Sequence, residues 1–162
     1  LYREGKVRAI GVCSFYPDRL ADLIAFNEIA PAVNQVEFNP FVQQRELRKV
    51  MDENHILLEA WYPLGHGNKE LLENPVICEL ADKYHKNAGQ IILRWIYQEG
   101  VISLPKSTNP ERMKGNIDIF DFQLNNAEMK QIASLDMGYS GSRTKHFDPE
   151  FVKTVLDRKI HD

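Results

Sequence analysis

The chain reads as an α/β protein built from parallel βα units, and three features predict it. Short apolar runs recur at 7–12, 33–38, 56–61 and 101–104. Longer stretches with helical periodicity separate them. The runs are also nearly continuous in apolar residues, as expected of strands covered on both faces. Such alternation builds either a doubly wound sheet or part of a (β/α) barrel. No GxGxxG turn follows the first run, which argues against the standard dinucleotide-binding sheet.

Each element has a local reason. Tyr2, Arg3 and Glu4 closing on Gly5 read as a helix C-terminus, with the helix beginning before Leu1. VRAIGV at 7–12 is the first strand. PDRLADLIAFN at 17–27 starts on a proline and sets Leu20, Leu23 and Ile24 on one helical face. VNQVEF at 33–38 is the second strand, and 43–54 is a helix with Leu47, Val50 and Met51 inward. The third strand is 56–61, followed by helices at 75–86 and 88–99. The fourth strand, 101–104, leads to a helix opened by Pro110 and another at 126–135. A loop at 138–145 (GYSGSRTK) precedes an amphipathic tail helix at 148–158.

Composition narrows the function. With 162 residues and 43% hydrophobic content, the chain has material for a core. A net charge of -3 and a pI near 6.0 suit neither nucleic acid nor an anionic membrane as partner. No apolar run approaches the ~20 residues that span a bilayer, and the charged start lacks the apolar stretch of a signal peptide. Cys13 and Cys78 stand far apart, outside any metal-type cluster, as expected of a reduced cytoplasmic protein. HExxH, paired CxxC and Gly-x-Ser-x-Gly are absent, which disfavours zinc and serine hydrolases.

The most informative stretch follows the fourth run. Lys106, Ser107 and Thr108 come at its end, and Asn109, Pro110, Glu111 and Arg112 open a helix. Free N–H groups at a helix start, two hydroxyls and two cations suit an anion such as phosphate. A basic loop that merely caps a helix is the other reading, and spacing alone does not separate the two.

Four segments together resemble one family. Gly5 to Phe15 (GKVRAIGVCSF) resembles the GKxRxIGVSNF segment of the aldo-keto reductases. Pro31 to Pro40 (PAVNQVEFNP) is similar to their PxVNQVExHP segment, and Ala60 to Gly65 (AWYPLG) to their A-aromatic-SPLG segment. Leu104 to Asn116, continued by Phe120, Asp121 and Phe122, resembles their IPKS…R…N cofactor segment. The four come in family order, most like bacterial reductases of the diketogluconate reductase type. The resemblance implies the C-terminal half of a (β/α)8 TIM barrel: four parallel βα units plus C-terminal helices, a single partial domain over 1–162.

The resemblance also implies NADPH. Trp61 would stack on the nicotinamide, although a rim core aromatic is the plainer reading of that residue. Gln35, with Cys13 and Ser14, would meet the carboxamide. Tyr62, Pro63, Leu64 and Gly65 would line the pyrophosphate path. Lys106, Ser107, Thr108, Asn109 and Arg112 would hold the 2′-phosphate, and Asn116 the adenine edge. Two charge-assisted contacts of about 1.5–3 kcal/mol each imply at least a tenfold or so preference for NADPH over NADH.

Four positions depart from the family pattern. Ser14 replaces Asn, Asn39 replaces His, Tyr62 replaces Ser, and Gly115 replaces an adenine-contacting acid. The family's Asp-Tyr-Lys-His tetrad belongs to the other barrel half, so no catalytic residue is assigned. Tyr62, Tyr84, Tyr97, Tyr139, His55, His66, His85, His146 and His161 offer no substitute, lying on helices or loops. The expected activity is reduction of small aldehydes, ketones or keto sugars, with this chain alone inactive. The alternative is a non-catalytic nucleotide-binding or interaction module. A missing N-terminal half, or a second copy, would close the barrel.

Overall fold

The computed structural model describes residues 1–142, 145 and 148–156. Its centre is a parallel sheet of β1 (Gly11–Cys13), β2 (Val33–Glu37), β3 (Leu57–Trp61) and β4 (Ile102–Ser103), in that order across the sheet. Helices α1 (Pro17–Ala25), α2 (Arg45–Glu53), α3 (Lys69–Leu72), α4 (Pro75–Tyr84) and α5 (Ala88–Gln98) connect these strands. After β4 come α6 (Pro110–Ile117), α7 (Asn126–Ala133), a 3-10 turn (Gly138–Gly141) and α8 (Pro149–Leu156).

Helices α3 to α7 begin where the sequence supplies a cap. Asn68, Asn74, Asn87, Asn109 and Asn125 each accept a first-turn backbone N–H and open α3, α4, α5, α6 and α7. At α5 and α7 the third residue, Gln90 or Glu128, returns a bond to the cap and completes a capping box.

One face of the sheet carries the core. Leu20 of α1, Leu47 and Met51 of α2, and Ile92, Trp95 and Ile96 of α5 pack with Val36, Leu58 and Ala60. Trp95 stacks on Phe38, with ring centroids 5.4 Å apart and planes at 5°. The opposite face is only partly covered among the described residues. Cys13, Leu57 and Ile102 are exposed there, and Val33, Gln35, Glu59 and Trp61 half-buried. The expectation of strands covered on both faces is therefore corrected, because the helices lie on one side.

The edge strands are shorter than their apolar runs. Residues 7–10 are exposed and outside the sheet. Among the described residues β1 has β2 as its single partner, in register from Gly11 to Val33, and one further bond reaches back to the Ile10 carbonyl. β4 likewise pairs with β3 alone. The 3-10 turn lies inside the expected 138–145 loop, and α3 was not expected. At the start, Gly5 N donates to Tyr2 O at 2.9 Å and Lys6 N to Leu1 O at 3.0 Å, with Gly5 at φ +69°. Those are the two bonds of a Schellman turn around Gly5, in a segment that forms turns rather than a helix. Positions 157 and 158 of the expected tail helix, with His146 and His161, lie outside the described residues.

Candidate functional site

Because all four strands are parallel, the residues singled out at their C-terminal ends share one edge of the sheet. Cys13 and Ser14 end β1, Trp61 and Tyr62 end β3, and Lys106 and Ser107 follow β4. Gln35 sits within β2. The sheet order therefore sets the proposed carboxamide residues, the stacking residue and the basic loop side by side across the edge.

The β1 end is held from below. Buried Asn34 donates to Phe15 O at 2.7 Å, and its Oδ1 receives Phe15 N at 3.4 Å. Ser14 takes the left-handed conformation, φ 56°, and donates its N–H to Gln35 O at 2.8 Å. Cys13 Sγ lies 3.7 Å from Ser14 Oγ on the exposed side.

The β3 end turns sharply. Tyr62 (φ 52°), Gly65 (φ 58°) and His66 (φ 55°) all adopt positive φ within five residues. Gly65 N donates to Tyr62 O at 2.9 Å, closing the turn. The Tyr62 ring meets Trp61 edge-on, centroids 4.4 Å apart, and lies 4.9 Å from the His66 ring. Pro63 is buried, so its side chain supports the turn, whereas Leu64 and Gly65 stay half-exposed. A cavity of about 400 Å³ beside this turn is bordered by Glu37, Asn39, Phe41, His66 and Gly141.

The basic loop after β4 is the open part of the edge. Lys106, Thr108, Asn109 and Arg112 are exposed. Ser107 Oγ accepts from Asn109 N at 3.1 Å, and Asn109 Oδ1 caps α6 by accepting from Arg112 N at 3.0 Å. Part of the polar set thus shapes the helix start. Lys106 and Arg112 meet no carboxylate among the described residues, as is true of Lys114 on α6, whereas Arg3, Arg45, Arg48, Lys83 and Lys86 are paired. Glu111, in the same first turn, adds an opposing charge. Asn116 borders an apolar cleft of about 600 Å³ at the open side of β4, with Ile102, Pro105, Met113, Ile117 and Phe120.

This arrangement fits a phosphorylated dinucleotide: two uncommitted cations at a helix start, a half-exposed indole one strand away, and a polar amide beyond it. Tyr16, Tyr84 and Tyr139 do not resemble proton donors. Burial, with Tyr139 and Glu37 adding to it, pushes the Tyr16 phenol up to about 12. Burial likewise raises Tyr84 and Tyr139, the opposite of what an acid working near neutral pH needs. Tyr84 is committed to Gln123 O at 3.0 Å and Glu128 Oε2 at 2.7 Å. His55 and His85 stand at the ends of α2 and α4 at positive φ, and His66 is an exposed loop residue.

Sequence reasoning passed over Glu59. Its carboxylate lies on the half-open face and accepts Gln35 Nε2 at 2.5 Å. The signal was there: a lone acid inside the otherwise apolar run ILLEAW. Among the described residues no helix is long and apolar enough to cross a membrane, and no His, Cys, Asp and Glu group could hold a metal ion.

Known proteins are similar to this chain in sequence and fold. The sequence model of the Aldo/keto reductase family matches residues 1–137. Morphine 6-dehydrogenase of Pseudomonas putida is 44% identical over 146 residues, covering 83% of this chain and 49% of that protein. Glyoxal reductase of Bacillus subtilis is 46% identical over 136 residues, 84% of this chain and 49% of that one. The crystal structure of a Bombyx mori aldo-keto reductase in complex with NADP superposes with a TM-score of 0.78 at 33% identity. That match covers 88% of this chain and 48% of the silkworm protein. The chain spans about half the length of the curated relatives it matches. The four strands and their helices are part of the (β/α)8 barrel of these structures.

Proposed function

The chain belongs to the aldo/keto reductase family, and on that premise we propose that it is the cofactor-holding half of an NADPH-dependent carbonyl reductase. One observation carries the reading: the uncommitted Lys106 and Arg112 flanking the Asn109-capped start of α6. A 2′-phosphate is the group that separates NADPH from NADH, and two cations at a helix N-terminus suit a dianion.

In this reading Lys106, Ser107, Thr108 and Arg112 bind the 2′-phosphate, with Asn109 shaping the helix start. Asn116 meets the adenine edge. Tyr62, Leu64 and Gly65 offer backbone groups to the pyrophosphate, with Pro63 packed beneath them. Trp61 presents an indole face to the nicotinamide, and Gln35, Cys13 and Ser14 orient its carboxamide. When bound, NADPH supplies the hydride that reduces an aldehyde, ketone or keto sugar to its alcohol. The proton donor belongs to residues outside this chain's set, so the chain alone has negligible turnover. Its free cysteines, Cys13 and Cys78, suit the reducing cytoplasm.

The partly open sheet face and the clefts beside β1 and β4 are covered, in this proposal, by four further βα units. These come from additional residues or from a second copy of the chain. The exposed Leu57, Ile102, Leu104 and Phe120 support such a cover. Light scattering that finds a stable 18.7 kDa monomer would rule out the second copy.

Titration of Trp fluorescence tests the cofactor reading. NADPH is expected to quench emission and to bind at least tenfold or so more tightly than NADH. Replacing Lys106 and Arg112 together by Ala is expected to erase that preference. Equal losses for both cofactors would refute the 2′-phosphate assignment.

A further inference from the structure

We propose that Glu59 is a positioning residue that fixes the orientation of the Gln35 amide toward the nicotinamide carboxamide; this rests on the cofactor reading above. Gln35 and Glu59 are register partners on adjacent parallel strands, β2 and β3. Their side chains emerge on the same half-open face, where Gln35 Nε2 donates to Glu59 Oε2 at 2.5 Å. The rest of the Glu59 surroundings is apolar in character: Leu57 precedes it on the same face, and Ile102 is its register partner on β4.

A glutamine amide has two ends of nearly equal size, one donating and one accepting. Nothing in the backbone decides which end faces outward. An ionised carboxylate only accepts, so Glu59 takes the NH2 end. Gln35 Oε1 is thereby turned away, and among the described residues no donor reaches it. A half-buried acceptor held in one orientation suits the NH2 of a primary carboxamide. It discriminates against the flipped carboxamide, which would set two acceptors against each other. Glu59 touches Gln35 rather than the cofactor. Its effect is to hold the nicotinamide ring one way round, and hence to fix which ring face is available.

The test compares NADPH with 2′-phospho-ADP-ribose, which keeps the phosphate groups and adenine but lacks the nicotinamide. Dissociation constants are read by calorimetry on the full 162-residue chain. Glu59→Leu is expected to weaken NADPH about three- to tenfold while leaving 2′-phospho-ADP-ribose unchanged. Glu59→Gln, which still offers an acceptor, is expected to recover part of the loss. In a Gln35→Leu background, Glu59→Leu is expected to cost nothing further, because Glu59 acts through Gln35. The proposal is overturned if Glu59→Leu binds NADPH like the wild type, or loses both ligands alike. Wild-type chain that binds neither ligand overturns the cofactor reading and this proposal together. Wild-type chain that binds both, with an indifferent Glu59→Leu, overturns this proposal alone.

Discussion

Ser14, at φ 56°, donates its backbone N–H to the Gln35 carbonyl across 2.8 Å, so the end of β1 is locked to the middle of β2. The lock holds a non-glycine residue in the left-handed region, where Asn is favoured over Ser. Asn is also what the family pattern carries here. Ser14→Asn is therefore expected to leave the melting temperature unchanged or slightly raised. It is expected to tighten NADPH about three- to tenfold, as an amide reaches further than a hydroxyl. Fluorescence titration beside thermal melting checks both, and weaker binding would count against Ser14 as a carboxamide contact.

Gly115 lies inside α6, and a Cβ built there meets nothing nearer than Asn87 Nδ2 at 3.8 Å. A side chain fits, and glycine in a helix interior costs about 0.5–1 kcal/mol relative to alanine. Gly115→Ala is expected to raise stability by about that amount in urea denaturation. Gly115→Glu restores the acid of the family pattern and is expected to tighten NADPH several-fold beyond Gly115→Ala. Equal affinity of the two variants would place the adenine elsewhere.

Acid is expected to act through Glu128. Burial raises its carboxyl, but hydrogen bonds from Lys83, Tyr84 and the Asn125 backbone outweigh burial and hold it below 4.5. A carboxyl lowered in the folded state adds stability above its unfolded value, and that stability is lost as pH falls through the folded value. Glu128→Gln is expected to melt about 2–4 °C lower at neutral pH. The gap to wild type is expected to close as pH falls below 4.5. A gap constant from pH 7 to 3 would show that the charge contributes nothing.

Base is expected to act through Tyr16. Its phenol, raised from 10.0 to about 12 by burial first, stays neutral in the fold while the unfolded chain ionises. Stability present below pH 10 is therefore lost progressively toward pH 12. Tyr16→Phe is expected to flatten the fall of melting temperature over that interval. An unchanged slope would assign the alkaline transition to other groups.

The helices and the middle strands were legible because their signals are local. Asn87 and Gln90, or Asn125 and Glu128, form a capping box within four residues. The runs at 33–38 and 56–61 became β2 and β3 nearly whole, since each has a partner on both sides. Residues 7–10 did not join β1 because strand length depends on a neighbour, which the local pattern does not encode. The Gln35–Glu59 contact was illegible for the same reason, being a register contact between residues 24 apart. Of the candidate site, residue types and order were readable. Which polar groups are already committed, as Asn109 is to its helix, required the structure.

The sheet order β1-β2-β3-β4 follows chain order without a reversal. Each of β2, β3 and β4 therefore pairs with a strand the ribosome has already released, across α1, α2 or the three helices α3 to α5. Once β1 and β2 have paired, no strand waits for one still unmade, and each loop closure spans only the connection from the preceding strand. Folding can advance with synthesis, extending the sheet from β1 toward β4 while asparagine caps mark the starts of α3 to α7.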